Sequence, residues 1–255
     1  MPSMPDVAHR RRATLSGSAR GPWRRVPRWL GATAAACLAF PAQAQVTTTL
    51  SGVSEYRFRG VSLSHGRAEP QLALGYDAPQ GWYAGAFASG TDLHYETRTP
   101  LQLQGYGGYA HRAASSAIGW DVGVARAIWP GAGRHDYSEA YAGMHGDRVN
   151  ARLWYSPNYF GSEAATLYAE LNGDVPLWRQ LHLQWHAGYL HALGNVPYPS
   201  PYAQPGTDLR IGLAAVMDVW TAQLAWVEKR RHADDYAVYD SAPSHAWVFS
   251  LSTAF

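Results

Sequence analysis

Charged side chains alternate with apolar ones near residue 55, where Glu55, Arg57 and Arg59 share one face of a predicted strand. Two neighbouring arginines of this kind form a cationic rung, and rings of charged side chains select ions in narrow passages. The same arginines also suit a structural salt-bridge ladder with Glu55 or Glu170. The sequence alone leaves both interpretations open.

The same two-residue period places further polar side chains on that face along the chain. A polar face of this composition suits a water-filled or hydrogen-bonded interior. The predicted lumenal residues are Glu55, Arg57, Arg59, Glu69, Gln71, Gln102, Gln104, Asp121, Asn150, Arg152, Glu170, His182, His186 and Arg210.

Two histidines of this set, His182 and His186, raise the question of a metal site. Four residues along a strand correspond to about 13 Å, too far for two imidazoles to share one ion without a third element. We therefore predict hydrogen bonding for both histidines, and the sequence indicates no metal and no other cofactor.

A cluster of Ser62, Ser64 and His65 could supply a nucleophile and a base, as in barrel lipid hydrolases. The His-x-Ser-Asn-Gly pattern of the barrel phospholipases is absent from the sequence. The sequence therefore favours a protein without catalytic residues, with a lipid hydrolase as an alternative.

The elements that position these residues are short strands. From Gln45 onward the chain has no run of 18 or more apolar residues, so any membrane span must be built from strands. Alternation predicts an all-β fold, a transmembrane up-and-down antiparallel β-barrel of about twelve strands, closed because an open edge would leave unpaired backbone groups in lipid. A secreted soluble β-sandwich is the alternative. The predicted strands are 46–59, 68–77, 82–91, 100–111, 117–128, 137–145, 148–158, 164–173, 179–192, 207–217, 220–229 and 244–255.

Connections and aromatic residues favour a barrel in a membrane. Short turns at 78–81, 112–116, 146–147, 174–178 and 218–219 interleave with mostly longer loops, as periplasmic turns do with outer loops. The predicted periplasmic girdle is Trp82, Trp120, Trp178 and Trp220, and the predicted outer girdle is Phe58, Trp129, Tyr137, Tyr159 and Trp247. Arg126 shares the parity of lipid-facing Val122 and Val124, so it must lie near an interface unless the register slips there.

The N-terminal region is typical of an export signal. Seven arginines within residues 10–28 precede a mostly apolar stretch at 29–44, which ends in an A-x-A pattern at Ala44. We predict cleavage between Ala44 and Gln45, so that residues 1–44 are a signal peptide and residues 45–255 form the barrel. Alternatives are a lipoprotein site at Cys37 and a twin-arginine signal at residues 10–12.

Composition limits the function classes. The chain has 255 residues, 47% of them hydrophobic, which suffices for one sizeable domain. After residue 44 it contains 14 basic and 18 acidic residues and no cysteine, which excludes disulfides and cysteine-ligated zinc there. The only sizeable basic cluster of that part is Lys229 to Arg231, which argues against a nucleic-acid partner.

The last segment, AWVFSLSTAF, ends on the aromatic residue Phe255 and carries apolar side chains at alternate positions. Such an ending resembles the signal that the barrel-assembly machinery recognises. We expect this machinery, outer-membrane lipids and small polar solutes as partners, and the bacterial outer membrane as the location. The oligomeric state stays open.

The stretch from Ser54 to Gly90 carries a family resemblance that extends, more weakly, over the rest of the predicted barrel. The residues that resemble the opening of the TorF family of porins are Tyr56, Arg57, Phe58, Arg59, Gly60, Gly66, Gly81, Trp82 and Tyr83, with an echo at Tyr106 to Tyr109. The resemblance implies a porin-like role and names no substrate. The Pro-rich segment 194–206 departs from it and predicts an irregular exposed loop.

The predicted function is passive diffusion of small polar or anionic solutes. Twelve strands lie between the filled interiors of eight-stranded barrels and the open channels of sixteen-stranded ones, which favours a narrow passage. The alternative is a plugged barrel whose outer loops, at 92–99, 194–206 and 230–243, bind a surface or a ligand.

Overall fold

The chain folds as a closed antiparallel β-barrel. The computed structural model describes residues 45–93, 101–194, 205–231 and 243–255. Within these ranges no helix is long and apolar enough to cross a membrane, and two 3-10 turns occur at Gly133–His135 and Tyr159–Gly161. The strands are β1 (Gln45–Val53), β2 (Arg57–Phe58), β3 (Val61–Ser62), β4 (Glu69–Asp77), β5 (Trp82–Gly90), β6 (Leu101–His111), β7 (Gly119–Ile128), β8 (Tyr137–His145), β9 (Val149–Ser156), β10 (Thr166–Pro176), β11 (Leu181–Ala192), β12 (Gly206–Met217), β13 (Trp220–Arg231) and β14 (His245–Ala254).

Closure joins the first and last strands. β1 pairs with both β4 and β14, and every other barrel strand pairs with its sequence neighbours. Just beyond β14, the Phe255 amide donates to the Thr48 carbonyl at 2.9 Å, and the Thr48 amide donates back at 3.2 Å. The predicted twelve-stranded up-and-down barrel is confirmed, and the two-layer sandwich is excluded.

Alternation along each strand creates an apolar outside and a polar inside. In β4, Leu72 and Leu74 are exposed on the outer face, whereas Gln71 on the inner face is buried. An apolar exterior of this kind is stable only against lipid, so the barrel is built for the outer membrane. The outward apolar residues include Leu50, Leu72, Leu74, Tyr76, Trp120, Val122, Val124, Leu153, Tyr155, Leu171, Ile211, Leu213, Phe249 and Leu251.

The aromatic residues at the short-turn end of the barrel lie where the sequence predicts, but most of those predicted for the other end do not. Those beside the short turns are exposed, as the predicted periplasmic girdle requires of Trp82, Trp120, Trp178 and Trp220. The predicted outer girdle is wrong except for exposed Trp247, because its other members turn into the lumen and are buried there. Those buried residues are Phe58, Trp129, Tyr137 and Tyr159.

Eleven barrel strands lie within three residues of their predicted bounds, and the first strand is the exception. β1 ends at Val53, and residues 54–68 turn back into the barrel as what we call the inner hairpin. Phe58 pairs with Val61, which leaves Arg59 and Gly60 as a two-residue turn with φ of 48° and 77°. Two successive positive φ values define the tight turn that matches the twist of paired strands.

Arg126 faces outward from β7, two residues before the strand ends at Ile128. Its guanidinium donates to Ser138 Oγ at 3.1 Å and lies 3.7 Å from the Asp136 carboxylate. The polar outer rim therefore satisfies this arginine, as the predicted interfacial position requires. The predicted signal peptide 1–44 and most of the Pro-rich segment lie outside the described residues.

Candidate functional site

The inner hairpin fills the outer half of the lumen. Tyr56, Phe58 and Leu63 are at most 2% exposed, although Phe58 was predicted for the outer girdle and Tyr56 has the same parity along the chain. They pack among aromatic side chains from the wall and from the outer connections, so this half of the barrel has a dense core. The aromatic members of that core are Tyr56, Phe58, Trp129, Tyr137, Tyr141, Trp154, Tyr159, Phe160 and Tyr168.

Arg59 holds the hairpin to the far wall. Its two terminal nitrogens lie 2.9 and 3.0 Å from the two carboxylate oxygens of Glu139 on β8, a bidentate pair. The guanidinium also lies 3.9 Å from the ring centre of Tyr168 and 4.9 Å from that of Tyr159. Burial opposes the charge, but the Glu139 carboxylate compensates it, and the guanidinium stays charged because arginine does not deprotonate in proteins.

Arg57 is occupied in a second buried contact. Its guanidinium lies 3.0 Å from Glu55 and donates to the carbonyls of Gly60 at 3.1 Å and Pro243 at 2.9 Å. Both arginines are therefore neutralised by carboxylates and withdrawn from solvent. The structural-ladder interpretation is confirmed for Arg57 and Glu55, whereas the partner of Arg59 is Glu139 instead of Glu55 or Glu170.

The tip of the hairpin also reaches β12 and β13, which are three and two strands away from β1 around the barrel. A Cβ atom added to Gly60 would lie 2.8 Å from the Asp208 Cβ and 3.0 Å from the Lys229 Cβ. Only glycine therefore permits this close approach, and it also suits the φ of 77°. The hairpin thus extends from β1 and β4 into the lumen, and its tip packs directly against the barrel wall.

We expect Gly60→Ala to loosen the inner hairpin, because the added methyl group meets the wall and the left-handed backbone costs about 1–2 kcal/mol. The measurement is limited trypsin cleavage after Arg59 in the folded barrel. Gly66→Ala is the matched control, since Gly66 has a similar φ of 75° but nothing within 4 Å of its added Cβ. Equal cleavage of the two variants would contradict the close seating of the tip.

The serine and histidine cluster of the hairpin is engaged with backbone. Ser64 Oγ accepts from the Tyr56 amide at 2.9 Å and donates to the Arg67 carbonyl at 2.8 Å. His65 Nδ1 lies 2.7 Å from the Asp92 carbonyl oxygen. These contacts stabilise the turn at the base of the hairpin and do not form the serine–histidine pair that a hydrolase needs.

All fourteen predicted lumenal residues lie inside the barrel, on the wall or on the hairpin, and most bond to neighbours. Gln71 donates to Ser89 Oγ at 3.2 Å, and Trp154 Nε1 donates to Glu170 at 3.0 Å. Gln102 and Gln104 are buried, and Glu69 at the base of the hairpin is half-buried. These residues form the packed part of the interior.

A ladder of polar contacts continues toward the periplasmic end across β7 to β12. Arg152 lies 2.9 Å from Asp121, and Asn172 donates to Asn150 at 3.0 Å. The His186 ring lies 2.7 Å from Asn172 Oδ1 through Nδ1 and 2.8 Å from Asp208 through Nε2.

Separate hydrogen bonds occupy the other histidine. His182 Nδ1 lies 2.6 Å from Asp174, which also accepts from Gln184 at 2.8 Å. The two histidines therefore bond to different carboxylates, as the predicted hydrogen bonding requires.

Solvent exposure separates the two halves of the lumen. The side chains of Arg59 and Glu139 are 2% and 1% exposed. Toward the periplasmic end, Arg152 is 24% and Asp174 is 44% exposed. The barrel therefore combines a packed outer half with a more accessible polar vestibule, by which we mean the lumen lined by Asn150, Arg152, Asn172, Asp174, His182, Gln184 and Arg210, with buried Asp121 and Gln223 behind them.

Several residues of the site were not among the predicted ones. Glu139, Tyr168 and Asp208 contact the hairpin or support it, and all three occupy inward positions of correctly predicted strands. Parity alone could have placed them in the lumen. Their pairing with Arg59 or Gly60 could not be predicted, because it depends on the inner hairpin. The sequence pattern predicted a longer first strand in place of that hairpin.

A closed barrel with an apolar exterior, a polar interior and an outer connection folded into the lumen defines the class of porin-like outer-membrane β-barrels. The chain belongs to the family described as "Bacterial protein of unknown function (Gcw_chp)", whose model matches residues 39–255. No curated protein matches the chain.

Solved structures share this fold at low sequence identity. The NanC porin is similar with a TM-score of 0.57 and 12% identity, over 81% of this chain and 98% of that chain. The KdgM porin in complex with disordered oligogalacturonate is similar with a TM-score of 0.51 and 8% identity, over 83% of this chain and 99% of that chain. At such identities the likeness extends to the fold alone.

Proposed function

We propose that the chain is a diffusion channel for small polar or anionic solutes, with its bore restricted by the inner hairpin. The observation that carries this proposal is the accessible polar vestibule beneath the hairpin inside a closed barrel. A barrel that served only as a rigid scaffold would gain stability by filling this space with apolar side chains.

Several finer assignments belong to the same proposal. The fold is that of porins, one of which was solved with an acidic oligosaccharide, and this favours small hydrophilic solutes over lipids. An exported barrel is also consistent with the TorF resemblance. The same proposal includes removal of residues 1–44 and recognition of Phe255 by the assembly machinery. The engagement of Ser64 and His65 with backbone favours a protein that is not an enzyme.

The channel is tested by single-channel recording with one cysteine introduced into residues 45–255, which contain none. Asn172 faces the vestibule, whereas its neighbour Leu171 faces lipid with 47% exposure. We expect a charged thiol reagent to reduce the current of Asn172→Cys by roughly half or more, because the adduct adds bulk and charge beside the passage.

The matched control is Leu171→Cys, whose current should not respond to the same reagent. A folded parent barrel without current would overturn the channel and favour the plugged scaffold with binding loops, which the dense packing of the hairpin supports. Release of fatty acids from outer-membrane lipid by the purified parent would support the hydrolase instead.

A further inference from the structure

Among the inward-facing arginines that the structure describes, all but one pair with a carboxylate. Arg57, Arg59 and Arg152 lie within 3.0 Å of Glu55, Glu139 and Asp121. Lys229 on β13 interacts electrostatically with Asp208, which also contacts His186. Arg210 on β12 is the only inward-facing arginine of the described barrel wall without a carboxylate partner there.

The hydrogen-bond partner of Arg210 is a neutral amide. Its guanidinium donates to the Gln223 side chain, and the Gln223 amide donates in turn to Gln184. The neighbouring inward positions Gly212 and Ala214 carry minimal side chains and no charge, so neither offers the guanidinium a further partner. The fork of donors on the guanidinium is therefore only partly used.

An uncompensated guanidinium inside a barrel is costly unless an anion or water accompanies it. Carboxylates and phosphates are the groups that match its planar fork through two parallel hydrogen bonds. We propose that Arg210, together with Gln223, binds the oxyanion group of a permeating solute, either a carboxylate or a phosphate. This inference rests on the proposed channel. It assigns the anion preference to Arg210 and no longer to Arg57 and Arg59, which are neutralised by carboxylates.

The first experiment compares reversal potentials of the parent, Arg210→Gln and Arg126→Gln under a potassium chloride gradient. We expect Arg210→Gln to lower the chloride-to-potassium permeability ratio about five-fold, the factor expected for one unit charge about 4 Å from the ion in water. Arg126→Gln is the matched control, because Arg126 faces outward at the rim. A conducting Arg210→Gln barrel with parental selectivity overturns the inference and leaves the channel standing.

A second measurement does not depend on conductance. Calorimetric titration of the detergent-solubilised barrel with glucuronate and with inorganic phosphate should show binding of one or both to the parent and none to Arg210→Gln. Arg210→Lys should retain anion preference but lose this binding, since an ammonium lacks the fork. Tighter binding of glucuronate would identify a carboxylate as the bound group, and tighter binding of phosphate would identify a phosphoryl group. Absence of binding to a correctly folded parent would overturn the site.

Discussion

Replacing residues 55–67 by a short Gly-Ser linker is expected to raise the single-channel conductance about three-fold or more, toward that of an unobstructed twelve-stranded bore. The ends of the inner hairpin lie side by side, because Val53 pairs with Glu69 in the sheet. A short turn can therefore connect β1 to β4 without disturbing the barrel. Removing the hairpin takes Tyr56, Phe58 and Leu63 out of the lumen and admits water to its outer half.

Planar-bilayer recording measures this effect, and heat-modifiable migration in gels verifies that the variant folds. The control replaces residues 195–204 with the same linker, which leaves the hairpin in place and should keep the parental conductance. A hairpin deletion that folds but conducts like the parent would show that the described hairpin does not limit the bore.

Much of the barrel could be predicted because lipid and lumen impose opposite chemistry on alternate residues. Leu72 and Gln71 illustrate this rule, and each strand after the first follows it closely. Strand number, connection lengths and the periplasmic tryptophans all follow from the same pattern. Closure also follows, since a sheet in lipid has no stable free edge.

The inner hairpin could not be predicted because its alternation continues that of β1. Tyr56 and Phe58 alternate with Glu55 and Arg57 just as lipid-facing and lumenal residues do. In the hairpin, however, both faces are buried inside the barrel, so aromatic rings meet other rings and charges meet carboxylates. Periodicity reports two different faces but not which environment each one meets. Arg59-Gly60 and His65-Gly66, each with two positive φ values, are the turn signals in the sequence.

The candidate site was also predictable only in part: its inward-facing residues could be predicted, but their charge pairing could not. Parity placed the fourteen polar residues inside the barrel, but it could not distinguish a neutralised arginine from a free one. Arg59 is neutralised by Glu139, which is 80 positions away in sequence. Arg210 stands among glutamines and small residues instead. Electrostatic roles in the lumen are set by partners on other strands, and those partners become visible only once the register is known.

Glu139→Gln is expected to release the inner hairpin, because it leaves the Arg59 charge buried among aromatic rings without a carboxylate. Breaking a buried pair by removing one partner costs about 3–5 kcal/mol, which is large compared with the stability of a single hairpin. The backbone hydrogen bonds of the closed barrel do not depend on this pair. We therefore expect trypsin cleavage after Arg59 and a higher conductance, with little change in the barrel's resistance to unfolding.

The double variant Arg59→Met plus Glu139→Met separates loss of the charge pair from loss of packing. Two apolar side chains of similar length leave no charge unpaired, and such replacements of buried pairs are often neutral or stabilising. The double variant should therefore keep the hairpin seated and protected from trypsin after Arg57, while Glu139→Gln alone exposes it. Glu228→Gln is the matched control, because its pair with Arg230 is on the exposed surface and contributes little. If Glu139→Gln and the double variant protected the hairpin equally, the Arg59–Glu139 pair would not be what holds it, and the aromatic core alone would account for its seating.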